Sequence, residues 1–327
     1  MPKLVNLVPR MLFERFNVSL PGDWQVVDMQ DPTEDELIVQ IADADFLFVP
    51  AVSPVSKKVI DAANNLKLIQ SRGVGYNKVD IEAAAAKGIY VCNTQGANIV
   101  SVAEHTIGLM LNALRRASFF DRETRSGRFL EAKYINESEG SHELASRHIG
   151  FLGIGAIGKM TAKRLQPFGC KMSYFDVFAL SAEQEKEYCV SYLSFDELIR
   201  ECDILSIHVP VLPTTRKMLS WDQFKVMKPS MLVLNTARGE IIDEEALADA
   251  LETGKISGAA LDTFDPEPPK PDGTLFTLSQ NAMDKLIFTP HVAGVTDESY
   301  IRIFDIAVTN MIKAKNGEKP AFVVNGL

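Results

Sequence analysis

The sequence has no long apolar run. None of its 327 residues belongs to a stretch approaching the roughly 18 apolar residues of a membrane-crossing helix, so a membrane span is not expected. It also lacks an excess of positive charge: 34 Lys and Arg stand against 43 Asp and Glu, a formal net charge of −9. That balance argues against nucleic acid as the main partner. Cysteine is scarce. Cys92, Cys170, Cys189 and Cys202 are the only four, and no two are three apart, so neither a C-x-x-C redox pair nor a zinc spacing exists. Each lies beside apolar or strand-like sequence, which predicts reduced, buried thiols in a cytoplasmic protein. The five histidines show no ligand spacing either, and no metal site is expected. Arg10, Glu14 and Arg15 interrupt the N-terminal segment before any signal-peptide core, so no secretory leader is expected. Internal repeats and low-complexity tracts are absent.

What is present is ordinary globular composition, 46% hydrophobic and 24% charged. At about 150 residues per domain the length predicts roughly two domains. Short apolar runs alternate with helix-like stretches. In the first half the runs are residues 4–8, 24–28, 46–49, 67–70 and 90–92, with helices predicted at 54–64 and 80–87. In the second half they are 149–154, 171–175, 190–192, 204–209, 231–235, 258–261 and 286–288. Continuous rather than alternating apolar runs mark strands buried on both faces, as in parallel α/β sheets. Residues 100–116 read as a helix linking two such units, with Val102, Ala103, Thr106, Ile107, Met110, Leu111 and Leu114 at helical spacing. Ser101 and Glu104 stand at capping-box spacing at its start. A polar stretch, 122–146, follows.

The segment from Ile149 to Gly158 is a strand followed by G-x-G-x-x-G: Gly153, Gly155 and Gly158. The first glycine permits a tight turn, the second lets the backbone approach a pyrophosphate, and the third lets helix pack on strand. Backbone N–H groups at the helix start then face the phosphates. The next strand ends at Asp176, 18 residues past Gly158 and close to the ~20 expected of an acid that binds a ribose 2′-hydroxyl. Asp176 would repel a 2′-phosphate, and Val177 and Phe178 supply no arginine to receive one. The spacing therefore predicts NAD rather than NADP.

With this frame in place, the chain resembles the D-isomer-specific 2-hydroxyacid dehydrogenase family over nearly its whole length. The resemblance is carried by Ser71-Arg-Gly-Val-Gly-Tyr-Asn-Lys-Val-Asp80, Val102-Ala-Glu-His105, Gly153 to Gly158, His208-Val-Pro210 and Asn235-Thr-Ala-Arg-Gly239. Asp262-Thr-Phe-Asp-Pro-Glu267, Thr289-Pro-His-Val-Ala-Gly294 and Gly317-Glu-Lys-Pro320 continue it. It implies an α/β fold of two Rossmann-like or flavodoxin-like parallel-sheet domains with an active-site cleft between them. The substrate domain would be discontinuous, residues 1–99 and 295–327, with the NAD-binding domain at 100–294.

Oxidising a 2-hydroxy acid needs a cation for the carboxylate and the reacting oxygen, a base for the hydroxyl proton, and a hydride acceptor. Arg238 follows a predicted strand, where ligands bind in open α/β sheets, and a guanidinium forks onto carboxylate oxygens. His291, also at a strand end, is of the type that both takes and gives a proton near neutral pH. Glu267 could hydrogen-bond that imidazole and stabilise its charged form. The family's catalytic Arg, Glu and His fall on these three positions. The resemblance further implies Val74 and Gly75 as donors to the substrate carboxylate, together with Arg238 and His291. It implies cofactor contacts from Ala156, Ile157, Thr106, His208, Val209, Pro210, Thr215, Thr236, Ala237, Asp262 and His291. His105, His142 and His148 are expected to be structural.

Two departures matter. Ser71 stands where phosphoglycerate dehydrogenases commonly carry an arginine, with Arg72 one place later, and Gln95 replaces a common proline. The leading expectation is an NAD-dependent reductase of small 2-oxo acids that forms D-2-hydroxy acids. D-3-phosphoglycerate dehydrogenation and a non-enzymatic, NADH-sensing corepressor-like scaffold are the alternatives. The side chain of the substrate is expected near Val52, Val74, Tyr76, Ile99 and Tyr300. The family also implies a homodimer through the NAD-binding domain, with residues 118–130 contributing.

Overall fold

Adjacent residues of each apolar run enter opposite cores, because successive side chains of a strand point to opposite faces. The computed structural model describes residues 1–327 and divides them into two units, 1–98 with 295–327, and 99–294.

The first unit holds β1 (Lys3–Asn6), β2 (Gln25–Asp28), β3 (Phe46–Val49), β4 (Leu68–Ser71) and β5 (Tyr90–Cys92). They form a 5-stranded parallel sheet in the order β2-β1-β3-β4-β5. Val5, Leu47, Val49, Ile69 and Val91 pack on one face. Leu4, Phe46, Phe48, Leu68 and Cys92 pack on the other, against Phe304, Ala307 and Met311 of the helix Asp297–Lys315. That helix is fixed by polar contacts as well. Asn310 donates to the Gln70 side chain at 3.0 Å and takes the Ala321 N–H at 2.8 Å. Asn325 accepts from the Val91 N–H at 3.1 Å and donates to the Ile89 carbonyl at 2.7 Å. The buried Asn310 and the half-buried Asn325, paired in this way, specify where the C-terminal segment docks.

The second unit holds β6 (His148–Leu152), β7 (Lys171–Phe175), β8 (Ser191–Tyr192), β9 (Ile204–Ile207), β10 (Leu232–Asn235), β11 (Gly258–Leu261) and β12 (Leu286–Phe288). Its 7-stranded parallel sheet runs β12-β11-β10-β9-β6-β7-β8. The order reverses at β6, so the loop after β6 opens at the switch point where ligands bind in doubly wound sheets. Ile149, Phe151, Leu232 and Leu234 face Leu109, Met110 and Leu114 of the helix Ile99–Arg115. Leu152, Leu205, Ile207, Val233 and Leu261 face the other core. No helix is long and apolar enough to cross a membrane.

Two sequence expectations are corrected, and the polar stretch proves to hold helices. Ser101 does not cap its helix. The turn closed by the Ala97 N–H on the Thr94 carbonyl lets the helix begin at Ile99, and Ser101 is buried inside its first turn. The polar stretch 122–146 is largely helical, within Ala117–Arg125 and Phe129–Glu139. The buried face of the first of these is Phe119 plus Glu123, an apolar signal too thin to show in sequence. Glu123 is satisfied by Arg122 and Arg128 at 3.2 and 2.6 Å. The thiols are not all buried: Cys92 and Cys202 are, with burial pushing each up to about 12, whereas Cys189 is exposed.

Candidate active site

The glycine loop follows β6. Gly153 has φ +95°, and a Cβ there would lie 2.9 Å from the His208 carbonyl carbon. A Cβ on Gly158 would meet the Gly153 carbonyl oxygen at 2.7 Å. These two glycines are required by the fold. A Cβ on Gly155 would meet nothing within 4 Å, so open space lies over the start of the helix Ala156–Leu165. Free N–H groups and the positive dipole end make that space suited to a pyrophosphate. Asp176, at the end of β7, accepts from the Ile154 N–H at 2.8 Å, so its carboxylate is held against the glycine loop. Among the remaining proposed cofactor residues, Thr106 and Thr236 pair hydroxyl to hydroxyl at 3.0 Å, joining the linking helix to the end of β10. The Thr215 hydroxyl closes its own loop, donating to Pro210 O at 2.6 Å and accepting from the Leu212 N–H at 2.7 Å. The His208 ring lies 2.8 Å from Ser206 Oγ, and burial lowers its pKa to about 4, so at neutral pH it is uncharged. These residues fit a dinucleotide: a backbone cradle and an acid beside it.

Three adjacent strands carry the candidate reactive residues at their C-terminal ends. Arg238 comes three residues after β10, Glu267 six after β11 and His291 three after β12. Asn235 fixes the first of these turns, donating to the Arg238 carbonyl at 2.7 Å and accepting from the Ala237 N–H at 3.0 Å. The Arg238 guanidinium is half-buried and donates to the Ala237 carbonyl at 2.6 Å, and it forms no ion pair. A cation kept without a carboxylate is available to an anionic ligand.

His291 Nδ1 lies 2.9 Å from both carboxylate oxygens of Glu267. The histidine backbone sits in the left-handed region, φ +53°, which disfavours a side chain bearing a Cβ. Asp262 holds it there. Its wholly buried carboxylate accepts from Thr289 Oγ1 at 2.5 Å and from the Val292 and Ala293 N–H groups at 2.9 Å each. Its own carbonyl accepts from the His291 N–H at 2.8 Å. His105 reaches Thr289 Oγ1 at 3.1 Å, behind this turn.

In the first unit the loop after β4 carries Val74 and Gly75. The Val74 carbonyl is taken by the Asn93 side chain at 2.9 Å and the Gly75 carbonyl by the Ser71 hydroxyl at 2.8 Å. The N–H groups of Val74 and Gly75 have no acceptor in the protein. Half-buried donors without partners are ready-made for a carboxylate.

Sequence reading missed Gly239 as a site residue. A Cβ there would fall 2.0 Å from the Phe264 carbonyl carbon, so the chain leading to Glu267 rests directly on Gly239. Only its place inside the Asn235-Thr-Ala-Arg-Gly239 run pointed to it. Asn235 and Asp262, which hold the two turns, gave no signal of that role in the sequence.

A family profile described as the NAD-binding domain of D-isomer-specific 2-hydroxyacid dehydrogenases matches residues 107–293. The chain is 36% identical over 294 residues to a glyoxylate reductase of Thermofilum pendens, covering 90% of this chain and 85% of that one. It is 37% identical over 270 residues to a hydroxypyruvate reductase of Thermotoga maritima, covering 83% and 84%. A D-3-phosphoglycerate dehydrogenase of Archaeoglobus fulgidus is 35% identical over 285 residues, covering 87% of this chain, which spans 52% of that longer relative. Among solved structures, a protein of Thermus thermophilus superposes with a TM-score of 0.86 at 30% identity, covering 99% of this chain and 100% of that one.

Proposed function

This chain belongs to the D-isomer-specific 2-hydroxyacid dehydrogenase family, an NAD-dependent oxidoreductase acting on CH–OH donors, and from that premise we propose that it interconverts a small 2-oxo acid and its D-2-hydroxy acid. The observation that carries the proposal is the pairing of His291 with Glu267 on strand ends beside that of the unpaired Arg238.

Bound NAD supplies the acceptor for the hydride, or as NADH its donor. The loop from Gly153 to Gly158, with Ala156 and Ile157, would hold the pyrophosphate, and Asp176 the adenosine ribose. Thr106, His208, Val209, Pro210, Thr215, Thr236, Ala237, Asp262 and His291 would supply the remaining contacts. Arg238 would hold the substrate carboxylate and draw charge onto the oxygen bound to C2, supported by the free N–H groups of Val74 and Gly75. Glu267 engages Nδ1–H, so Nε2 would exchange the proton with the C2 oxygen. In reduction the imidazolium gives its proton to that oxygen, and the Glu267 carboxylate stabilises the cation before transfer.

The test is NADH oxidation with glyoxylate, hydroxypyruvate, pyruvate, longer and aromatic 2-oxo acids, and phosphohydroxypyruvate. Turnover of at least one is expected, and no turnover of any would overturn the reading. The second unit is proposed to pair with another copy of itself. Phe129, Leu130 and Tyr134 are each more than 60% exposed, beside the helix Ala117–Arg125. Light scattering should return a dimer mass, and a monomer refutes the pairing.

A further inference from the structure

The loop that offers the free amides of Val74 and Gly75 opens with a second unpaired cation, Arg72. Its guanidinium lies over the ring of Tyr300, 5.6 Å from the centroid. Tyr300 stacks on Phe16 with centroids 5.1 Å apart and planes 22° from parallel, and the Arg15 guanidinium lies over Phe16 at 5.1 Å. This is a ladder of two arginines and two aromatic rings. Arg15 is neutralised by Asp297 at 2.6 Å, whereas Arg72 forms no ion pair and its guanidinium makes no hydrogen bond. Arg72 is also half-buried, so it is not a solvated surface charge.

We propose that Arg72 is a specificity residue that receives a second anionic group, carboxylate or phosphate, on the side chain of the 2-oxo acid. The stacking on Tyr300 orients the guanidinium and leaves the edges of its fork free for a planar, bidentate partner. A neutral side chain placed there would cover the guanidinium without pairing it, which is unfavourable, whereas an anion would satisfy it. The position is one residue after the arginine common in phosphoglycerate dehydrogenases, so the group is met from a different point of the loop. The proposal rests on the reading of the chain as a 2-oxo acid reductase with the substrate carboxylate on Val74 and Gly75.

The experiment measures kcat/KM for NADH-dependent reduction of two matched pairs: 2-oxoglutarate against 2-oxohexanoate, and phosphohydroxypyruvate against hydroxypyruvate. The native enzyme should favour the charged member of at least one pair by about tenfold or more, and which pair shows it distinguishes carboxylate from phosphate. Arg72→Met should bring that ratio toward one, chiefly by raising KM for the charged substrate. Arg72→Lys, which keeps the charge and loses the fork, should lie between. Circular dichroism melts of both variants verify that they fold. A native enzyme that reduces 2-oxo acids without favouring a charged side chain overturns this inference alone, as does a ratio unchanged in Arg72→Met. A native enzyme that reduces none of these four but turns over glyoxylate, pyruvate or an aromatic 2-oxo acid also overturns this inference alone, and one that reduces no 2-oxo acid at all overturns the underlying reading instead.

Discussion

The imidazole of His291 meets the carboxylate of Glu267 symmetrically, with Nδ1 2.9 Å from each oxygen. Two loops at the ends of neighbouring strands bring them together, 24 residues apart in sequence. The geometry fixes Nδ1 as the proton-bearing nitrogen and leaves Nε2 for exchange. His291→Asn should lower kcat by at least about 100-fold while NADH binding, followed by fluorescence titration, stays within a few-fold. Glu267→Gln loses the carboxylate that holds Nδ1, so kcat should fall by about tenfold or more while NADH binding stays within a few-fold. Unchanged turnover in the first variant would remove His291 from the mechanism, and unchanged turnover in the second would remove Glu267.

Asp176 is anchored by the Ile154 N–H and stands before the exposed Val177 and Phe178. Neither Val177 nor Phe178 is a cation that could receive a phosphate. Asp176→Ala should narrow the preference for NADH over NADPH, read as the ratio of kcat/KM values with one 2-oxo acid. Unchanged discrimination would mean that another residue sets it.

Gly239 has no room for a methyl group, since a Cβ would penetrate the Phe264–Asp265 peptide. Gly239→Ala must push that strand end away, and overpacking of this kind costs about 1–3 kcal/mol. For a unit of this size that corresponds to a fall of roughly 2–12 °C in Tm. Because the displaced segment leads to Glu267, kcat should fall more than KM rises. A variant with native Tm and native kcat would show that the contact does not seat the loop.

Burial lowers the His208 pKa to about 4, below the roughly 6.5 of an unfolded chain. The sign follows from proton binding. Above about pH 6.5 both states are neutral at this site and the folded state loses nothing. As the pH falls toward 4 the unfolded chain takes up a proton that the folded protein refuses, so stability declines across that window. His208→Gln should flatten this decline, measured as urea midpoints at pH 7, 5.5 and 4.5. Equal declines in both proteins would assign the acid sensitivity to other groups.

The sequence by itself determined what local pattern can encode. Apolar runs without alternation specify strands covered on both faces, and Gly153, Gly155, Gly158 and Asp176 specify a turn, a cradle and an acid at fixed spacing. Arg238 and His291 read from the sequence as groups that follow predicted strands, and the structure places them, with Glu267, beyond the C-terminal ends of β10, β12 and β11. The tertiary structure decided what depends on distant partners. Ser101 sits inside a helix because the turn at Thr94 to Ala97 ends early, and Cys189 is exposed because its helix ends at the surface. The helix containing Phe119 and Glu123 hides in a polar sequence because an ion-paired glutamate occupies its buried face. His291 keeps its strained backbone because Asp262, 29 positions earlier, gathers the N–H groups around it. Only the fold gives Arg15 an aspartate and leaves Arg72 without one. Pairing, clearance and exposure are properties of neighbours, and neighbours across a parallel sheet are set by topology rather than by spacing along the chain.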